Sequence, residues 1–146
     1  MSIMNKENTV VLSFVGDIFP ANLSYNRYCG VAALDFDDIN RMEYVRMIQS
    51  TIPSDNIFVG NLESPILPID KFSKEQQFAG HPDFVKMLTE AGINIISLAN
   101  NHILEWRTEG LHTTESALNE QDIEYIGTID GNGETKVVII EKTALD

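Results

Sequence analysis

Apolar residues along this chain fall into short dense runs, separated by longer stretches in which they recur with a helical period. Val10-Val11-Leu12-Ser13-Phe14-Val15 is nearly continuous, the pattern of a strand covered on both faces in a parallel sheet. Similar runs occupy residues 56–60 and 93–98, with shorter ones at 123–126 and 136–141. Between them, Asp37 or Asp38 can cap a helix over about 39–50, with Ile39, Met42, Met47 and Ile48 as core contacts. Pro82 opens a second helix through about Ala91 that buries Phe84, Val85 and Leu88, and Gly92 stops it. Thr108 can cap a third over about 109–121 that buries Leu111 and Leu118. Residues 18–36 and 66–80 show no sustained period and read as loops, and Asp130-Gly131-Asn132-Gly133 signals a turn. Strands alternating with helices predict an α/β fold: a mostly parallel sheet with flanking helices and right-handed crossovers.

Three of these strands run into polar residues of ligand type. The first leads to Gly16-Asp17, with Asp17 just beyond the strand end; the second to Gly60-Asn61-Leu62-Glu63; the third to Ala99-Asn100-Asn101-His102. In an open α/β sheet the loops at the carboxyl ends of the strands converge on one crevice, where ligands gather. Each group alone has an ordinary reading as a turn, a cap or a surface acid. Together at successive strand ends they form a coherent set. Two carboxylates and an Asn amide oxygen suit a hard or borderline divalent cation, and a histidine beside them can protonate a leaving oxygen. Metal-assisted hydrolysis is the reaction class this donor set points to.

The chain has 146 residues, 43% of them hydrophobic, enough for one domain with a real core. A formal charge of −12 and scattered basic residues argue against nucleic acid or an anionic membrane surface as partner. The same charge favours a divalent cation. A lone cysteine, Cys29, excludes an internal disulfide and a cysteine-based zinc site, and its neighbours supply no base to activate it. No run approaches the roughly 20 apolar residues of a membrane span. The N-terminal stretch does not read as a signal peptide, so the expected location is cytoplasmic.

Several strings in fixed order carry a resemblance: V-G-D-I at 15–18, N-L-E-S-P-I at 61–66, the phrase from Phe78 through Pro82 to Leu88, A-G-I at 91–93, S-L-A-N-N-H-I-L-E at 97–105 and G-L-x-x-T at 110–114. The chain resembles the CapA (PGA_cap) family of bacterial capsule, or poly-γ-glutamate, synthesis proteins, a branch of the calcineurin-like metallophosphoesterase superfamily. The resemblance implies a four-layer αββα sandwich with a two-metal centre, of which residues 1–146 are a partial domain, the N-terminal half. Matched position by position, it implies Asp17, Glu63 and Asn101 as metal ligands and His102 as general acid, with Asn61 a ligand or a supporting residue. The implied cofactor is a divalent ion, Mn2+ first, with Fe2+, Zn2+ and Mg2+ as alternatives. Phe19 stands where the superfamily's D-x-H motif has histidine, and Glu63 replaces the usual bridging aspartate. The histidines of the superfamily's second half have no counterpart: His81 reads as a cap and His112 as a surface residue.

A half-domain of this kind leaves one sheet face bare and apolar. The cover expected for it is a C-terminal half, a second copy in a homodimer or a capsule-assembly protein. The implied function is capsule biosynthesis through a metal-dependent, phosphoesterase-type hydrolase site that acts on a phosphoester or an anionic polymer. The alternatives are a non-catalytic accessory module, and an α/β domain that binds an anion without metal.

Overall fold

The computed structural model describes residues 10–23, 26–30, 38–52, 57–73, 77–129 and 132–140; from 22 to 41 it describes backbone only. Four strands build the main sheet: Leu12–Ile18 (β1), Ile57–Leu62 (β4), Ile95–Ser97 (β5) and Glu124–Ile126 (β6). Between β1 and β4 come a small antiparallel hairpin, Asn22–Leu23 (β2) with Asn26–Gly30 (β3), and the helix Asp38–Gln49 (α1). Pro82–Glu90 (α2) links β4 to β5, and Arg107–Glu120 (α3) links β5 to β6. The sheet order is β1-β4-β5-β6, and every neighbouring pair is parallel. This is an α/β fold with a four-stranded parallel sheet and three helices, consistent with half of a metallophosphoesterase-like domain.

Strands added in sequence order by right-handed crossovers carry their helices to one face. Burial along the strands follows: Phe58, Gly60 and Leu62 of β4, Ile96 of β5 and Tyr125 of β6 are buried, whereas Ile57, Val59, Ile95 and Ile126 are only half-buried. The helix-side core joins Phe58, Leu62, Ile96 and Tyr125 to Phe84, Val85 and Leu88 of α2 and Leu118 of α3. Each such side chain contributes roughly 1.5–3 kcal/mol. On the opposite face, among the described residues, Leu12 is 52% and Phe14 70% exposed on β1 while Ile57, Val59 and Ile95 are half-buried, so open apolar surface on that face is concentrated at β1.

Helix α2 obeys local rules. Its His81 Nδ1 accepts from the Asp83 N–H at 3.1 Å, Pro82 occupies the first turn, and Gly92 at φ 86° lets the Ile93 N–H return to the Leu88 carbonyl at 3.0 Å. Elsewhere the structure corrects the sequence reading. Thr108 does not cap α3: successive turns from the His102 loop run straight into the helix, with the Arg107 N–H donating to Leu104 C=O at 2.8 Å. Thr108 therefore lies inside the first turn. Residues 18–36 are not a plain loop, since β1 reaches Ile18 and the β2–β3 hairpin follows; residues 31–37, with the Asp37 cap, lie outside the described residues. Among the described side chains of α1, Val45 is buried, Ile48 packs partly buried against the core as expected, and Met47 is exposed; the Ile39 side chain lies outside the described residues.

The expected strand at 136–141 is not one over its described part, 136–140. A bridge from Ile129 to Thr135 turns the chain back, and Lys136 is held over the Tyr125 ring at 3.3 Å and by its N–H to Thr128 C=O. Beyond Lys136 the ladder stops, and Val137 and Ile139 stand exposed. The Cys29 side chain lies outside the described residues. Among the described residues no helix is long and apolar enough to cross a membrane.

The loop after β4 is fastened from the helix side. Thr114 is fully buried; its Oγ1 accepts from the Ile66 N–H at 2.8 Å and donates to Gly110 C=O at 2.7 Å. Thr113 donates to Ile66 C=O at 2.7 Å. The G-L-x-x-T string is thus a clamp on the N-L-E-S-P-I string. Thr114→Val keeps the shape but leaves the Ile66 N–H unpaired, and it is expected to cost about 1–3 kcal/mol, read as a lower urea midpoint with unchanged slope. Thr114→Ser should recover most of that loss; equal stability of wild type and Thr114→Val would remove the clamp.

Candidate metal centre at the carboxyl edge of the sheet

Asp17 is part of β1 rather than beyond it, and a β-bulge decides where it points. Phe14 pairs with Val59 and Asp17 with Asn61, so three steps on β1 match two on β4. Alternation without the bulge would send Asp17 toward the helices. The extra residue returns it to the face that carries Phe14, Val59 and Asn61. The ladder continues one residue further, with the Glu63 N–H donating to Ile18 C=O at 2.9 Å, which keeps Glu63 in phase with Asn61.

Side-chain amides then join three strand ends. Asn61 Nδ2 donates to Asp17 Oδ1 at 2.8 Å, and Asn100 Nδ2 donates to Asn61 Oδ1 at 3.2 Å and to Leu62 C=O at 2.8 Å. Asn100 Oδ1 accepts from the His102 and Ile103 N–H groups, both at 3.0 Å. Asn100 is therefore a brace that folds the loop after β5 against the end of β4. Asn61, with amide and carbonyl both engaged, bridges Asp17 to Asn100.

Asp17 and Asn101 are exposed, and Glu63 is partly buried. Among the described residues neither the Glu63 carboxylate nor the Asn101 amide has a hydrogen-bond partner. His102 keeps a quarter of its side chain exposed, and its Nδ1 lies 3.1 Å from Glu105 Oε1. The structure thus gathers Asp17, Asn61, Glu63 and the Asn100–His102 loop at one edge. His81 caps α2, and His112 is exposed beside Glu115, so neither joins them. Two carboxylates and a free amide oxygen fit a hard divalent cation by donor type. Among the described residues no group of three His, Cys, Asp or Glu side chains can hold a metal.

Gly127 escaped the sequence reading. It has φ 89°, and a Cβ there would fall 2.7 Å from the backbone nitrogen of Ala99, the residue that opens the Asn100–His102 loop. Its only sequence signal is a glycine directly after a short apolar run. Gly127→Ala is expected to destabilise by about 1–3 kcal/mol and to shift the amide resonances of residues 99–103. Asn100→Asp retains the acceptor for the His102 and Ile103 amides but turns a carboxylate toward two oxygens. A similar loss of about 1–3 kcal/mol is expected, with faster hydrogen exchange at both amides. Wild-type stability and exchange would contradict the brace.

Comparison with known proteins identifies the family of the chain. The family model described as "Bacterial capsule synthesis protein PGA_cap" matches residues 11–145. A protein of Bacillus anthracis named "Capsule biosynthesis protein CapA" is 28% identical over 105 residues, 68% of this chain but 26% of its own length. Two proteins of Sinorhizobium fredii, named "Uncharacterized protein y4sH" and "Uncharacterized protein y4uA", are each 28% identical over 96 residues, 61% of this chain and 21% of theirs. The chain thus spans about a quarter of the CapA relative and a fifth of the other two. With its strand-end motifs inside a match over residues 11–145, the chain belongs to the bacterial capsule synthesis protein PGA_cap family.

Proposed function

We propose that this chain supplies one wall of a metal-dependent hydrolase site in a capsule-synthesis protein, acting on a phosphoester or an anionic polymer of the poly-γ-glutamate type. The observation that carries this reading is the convergence of Asp17, Glu63 and the Asn101-His102 pair on one strand edge, with Asp17 and the His102 loop tied together through Asn61 and Asn100. Asp17, Glu63 and Asn101 would hold a divalent cation, Mn2+ first, with Fe2+, Zn2+ and Mg2+ as alternatives. The cation supplies Lewis acidity toward a phosphoryl or carbonyl oxygen. His102, with Nδ1 beside Glu105, offers Nε2 as donor of a proton to the leaving oxygen. A net charge of −12 repels a polyanion everywhere except where a cation or a partner offsets it, which directs such a substrate to this edge.

The relatives are roughly four to five times longer than the stretch matched, and in this reading residues 1–146 are the N-terminal part of a larger domain. The remaining ligands then come from a C-terminal half of the CapA type, with a second copy or a capsule-assembly protein as other sources. One observation favours a second reading, a non-catalytic accessory module: the partial donor set among the described residues.

Mn2+ titration followed by calorimetry separates the two. Saturable binding is expected, weakened about 10- to 100-fold or more by Asp17→Asn and by Glu63→Gln. Hydrolysis of p-nitrophenyl phosphate by the Mn2+-loaded protein should disappear with EDTA and with His102→Ala. A wild type completed by its C-terminal half that still binds no Mn2+ would sink the hydrolase and leave the accessory role.

A further inference from the structure

Phe78 has φ 51°, a left-handed backbone conformation that a bulky side chain adopts only where its surroundings over-determine it. Its flanks are fixed: Trp106 Nε1 donates to Gln77 C=O at 3.4 Å, and the Gly80 N–H donates to Pro65 C=O at 2.8 Å. Held this way, the Phe78 ring lies face-on to His102, with centroids 4.5 Å apart and planes 13° from parallel. Phe19 meets both rings edge-on, at 5.7 Å from Phe78 and 6.5 Å from His102. Glu105 takes the Nδ1 side at 3.1 Å. The imidazole is thereby bounded on one face, along one edge and at one nitrogen.

We propose that Phe78 is a positioning residue: its left-handed backbone lays the aromatic ring on His102, Phe19 closes the edge, and the imidazole presents Nε2 in one orientation to the leaving oxygen of a phosphoester. The catalytic part of this statement rests on the reading of His102 as proton donor. The placement of the ring does not. A stacked phenyl ring brings no charge to the imidazole and competes for neither nitrogen, which leaves Glu105 to fix Nδ1. A side chain serving only to fill space would need neither the left-handed backbone nor the near-parallel planes.

The test uses the full chain with Phe78→Gly, which removes the ring and relieves the backbone, and Phe78→Tyr, which keeps the stack. In 1H–13C spectra the His102 Cδ2–H and Cε1–H protons should be shifted upfield by the facing ring in wild type and in Phe78→Tyr, and lose that shift in Phe78→Gly while the cooperative thermal transition persists. If Phe78→Gly loses the transition, Phe78→Leu gives the same reading with bulk retained. Unmoved His102 resonances in the ringless variant overturn the proposal. With Mn2+ and p-nitrophenyl phosphate, Phe78→Gly should lower kcat about 10- to 100-fold at unchanged KM, with recovery in Phe78→Tyr. A raised KM at unchanged kcat would overturn the positioning role. A wild type completed by its C-terminal half that hydrolyses nothing overturns the reading of His102 as proton donor, while the spectra still decide where the ring sits.

Discussion

Asn100 is the constraint on which the rest of the site depends. Its side chain uses both ends: the amide reaches back to Asn61 and to Leu62 C=O, and the carbonyl oxygen gathers the His102 and Ile103 N–H groups. Parallel strands place their ends side by side but do not fix the loops that leave them. A side chain that satisfies donors and acceptors in both loops does. Since Asn61 also holds Asp17, one hydrogen-bonded chain runs across three strand ends and gives the acidic group of β1 a defined relation to the loop that carries His102. Partly buried N–H groups in such a loop are costly to leave unpaired, so the loop shape and the bonding stand or fall together.

What was legible in the sequence was local. Apolar runs gave the four sheet strands, Pro82 and Gly92 gave the bounds of α2 to within a residue, and His81 and His112 had the bland roles their contexts predicted. Strand-end polar residues were found because they are adjacent in sequence to the runs. The misses have a common cause. Asp17 lies within β1 because β4 supplies pairing as far as Leu62, and the bulge that turns Asp17 outward is a property of two strands, not of V-G-D-I. Thr108 looks like a cap until the turns that descend from His102 are seen to start α3 without it. The run at 136–140 has strand composition, yet Lys136 is anchored against Tyr125 and no ladder forms beyond it. Thr114, Gly127 and Phe78 act through partners 20 or more residues away, which no local pattern reports.

The two faces of the sheet divide the work. On the helix side, Thr114 and Thr113 grip the loop after β4 from α3, and the buried residues of β4, β5 and β6 pack against α2 and α3. On the other side stand Asp17, Asn61 and Glu63 at one end of an apolar surface that includes Phe14 and Val59. The clamp on the loop after β4 is therefore buried in this chain, whereas the Asn61–Asp17 bond is exposed. The donor groups themselves are left facing outward.

This division ties two shortfalls together. An apolar sheet face as open as that around Phe14 is unfavourable in water, and a divalent ion held by Asp17, Glu63 and Asn101 alone lacks most of its coordination sphere. Both lie on the same side of the sheet. In the proposed hydrolase, a second layer packed over Phe14 excludes water from that face, and any ligands it carries to the edge of Asp17 and Glu63 arrive in the same packing event. Metal affinity and association of that layer would then be linked, each strengthening the other by the same free energy. In the proposed hydrolase, full affinity for the cation is thus a property of the covered sheet, and any affinity of this chain alone would measure how much of the site one wall provides.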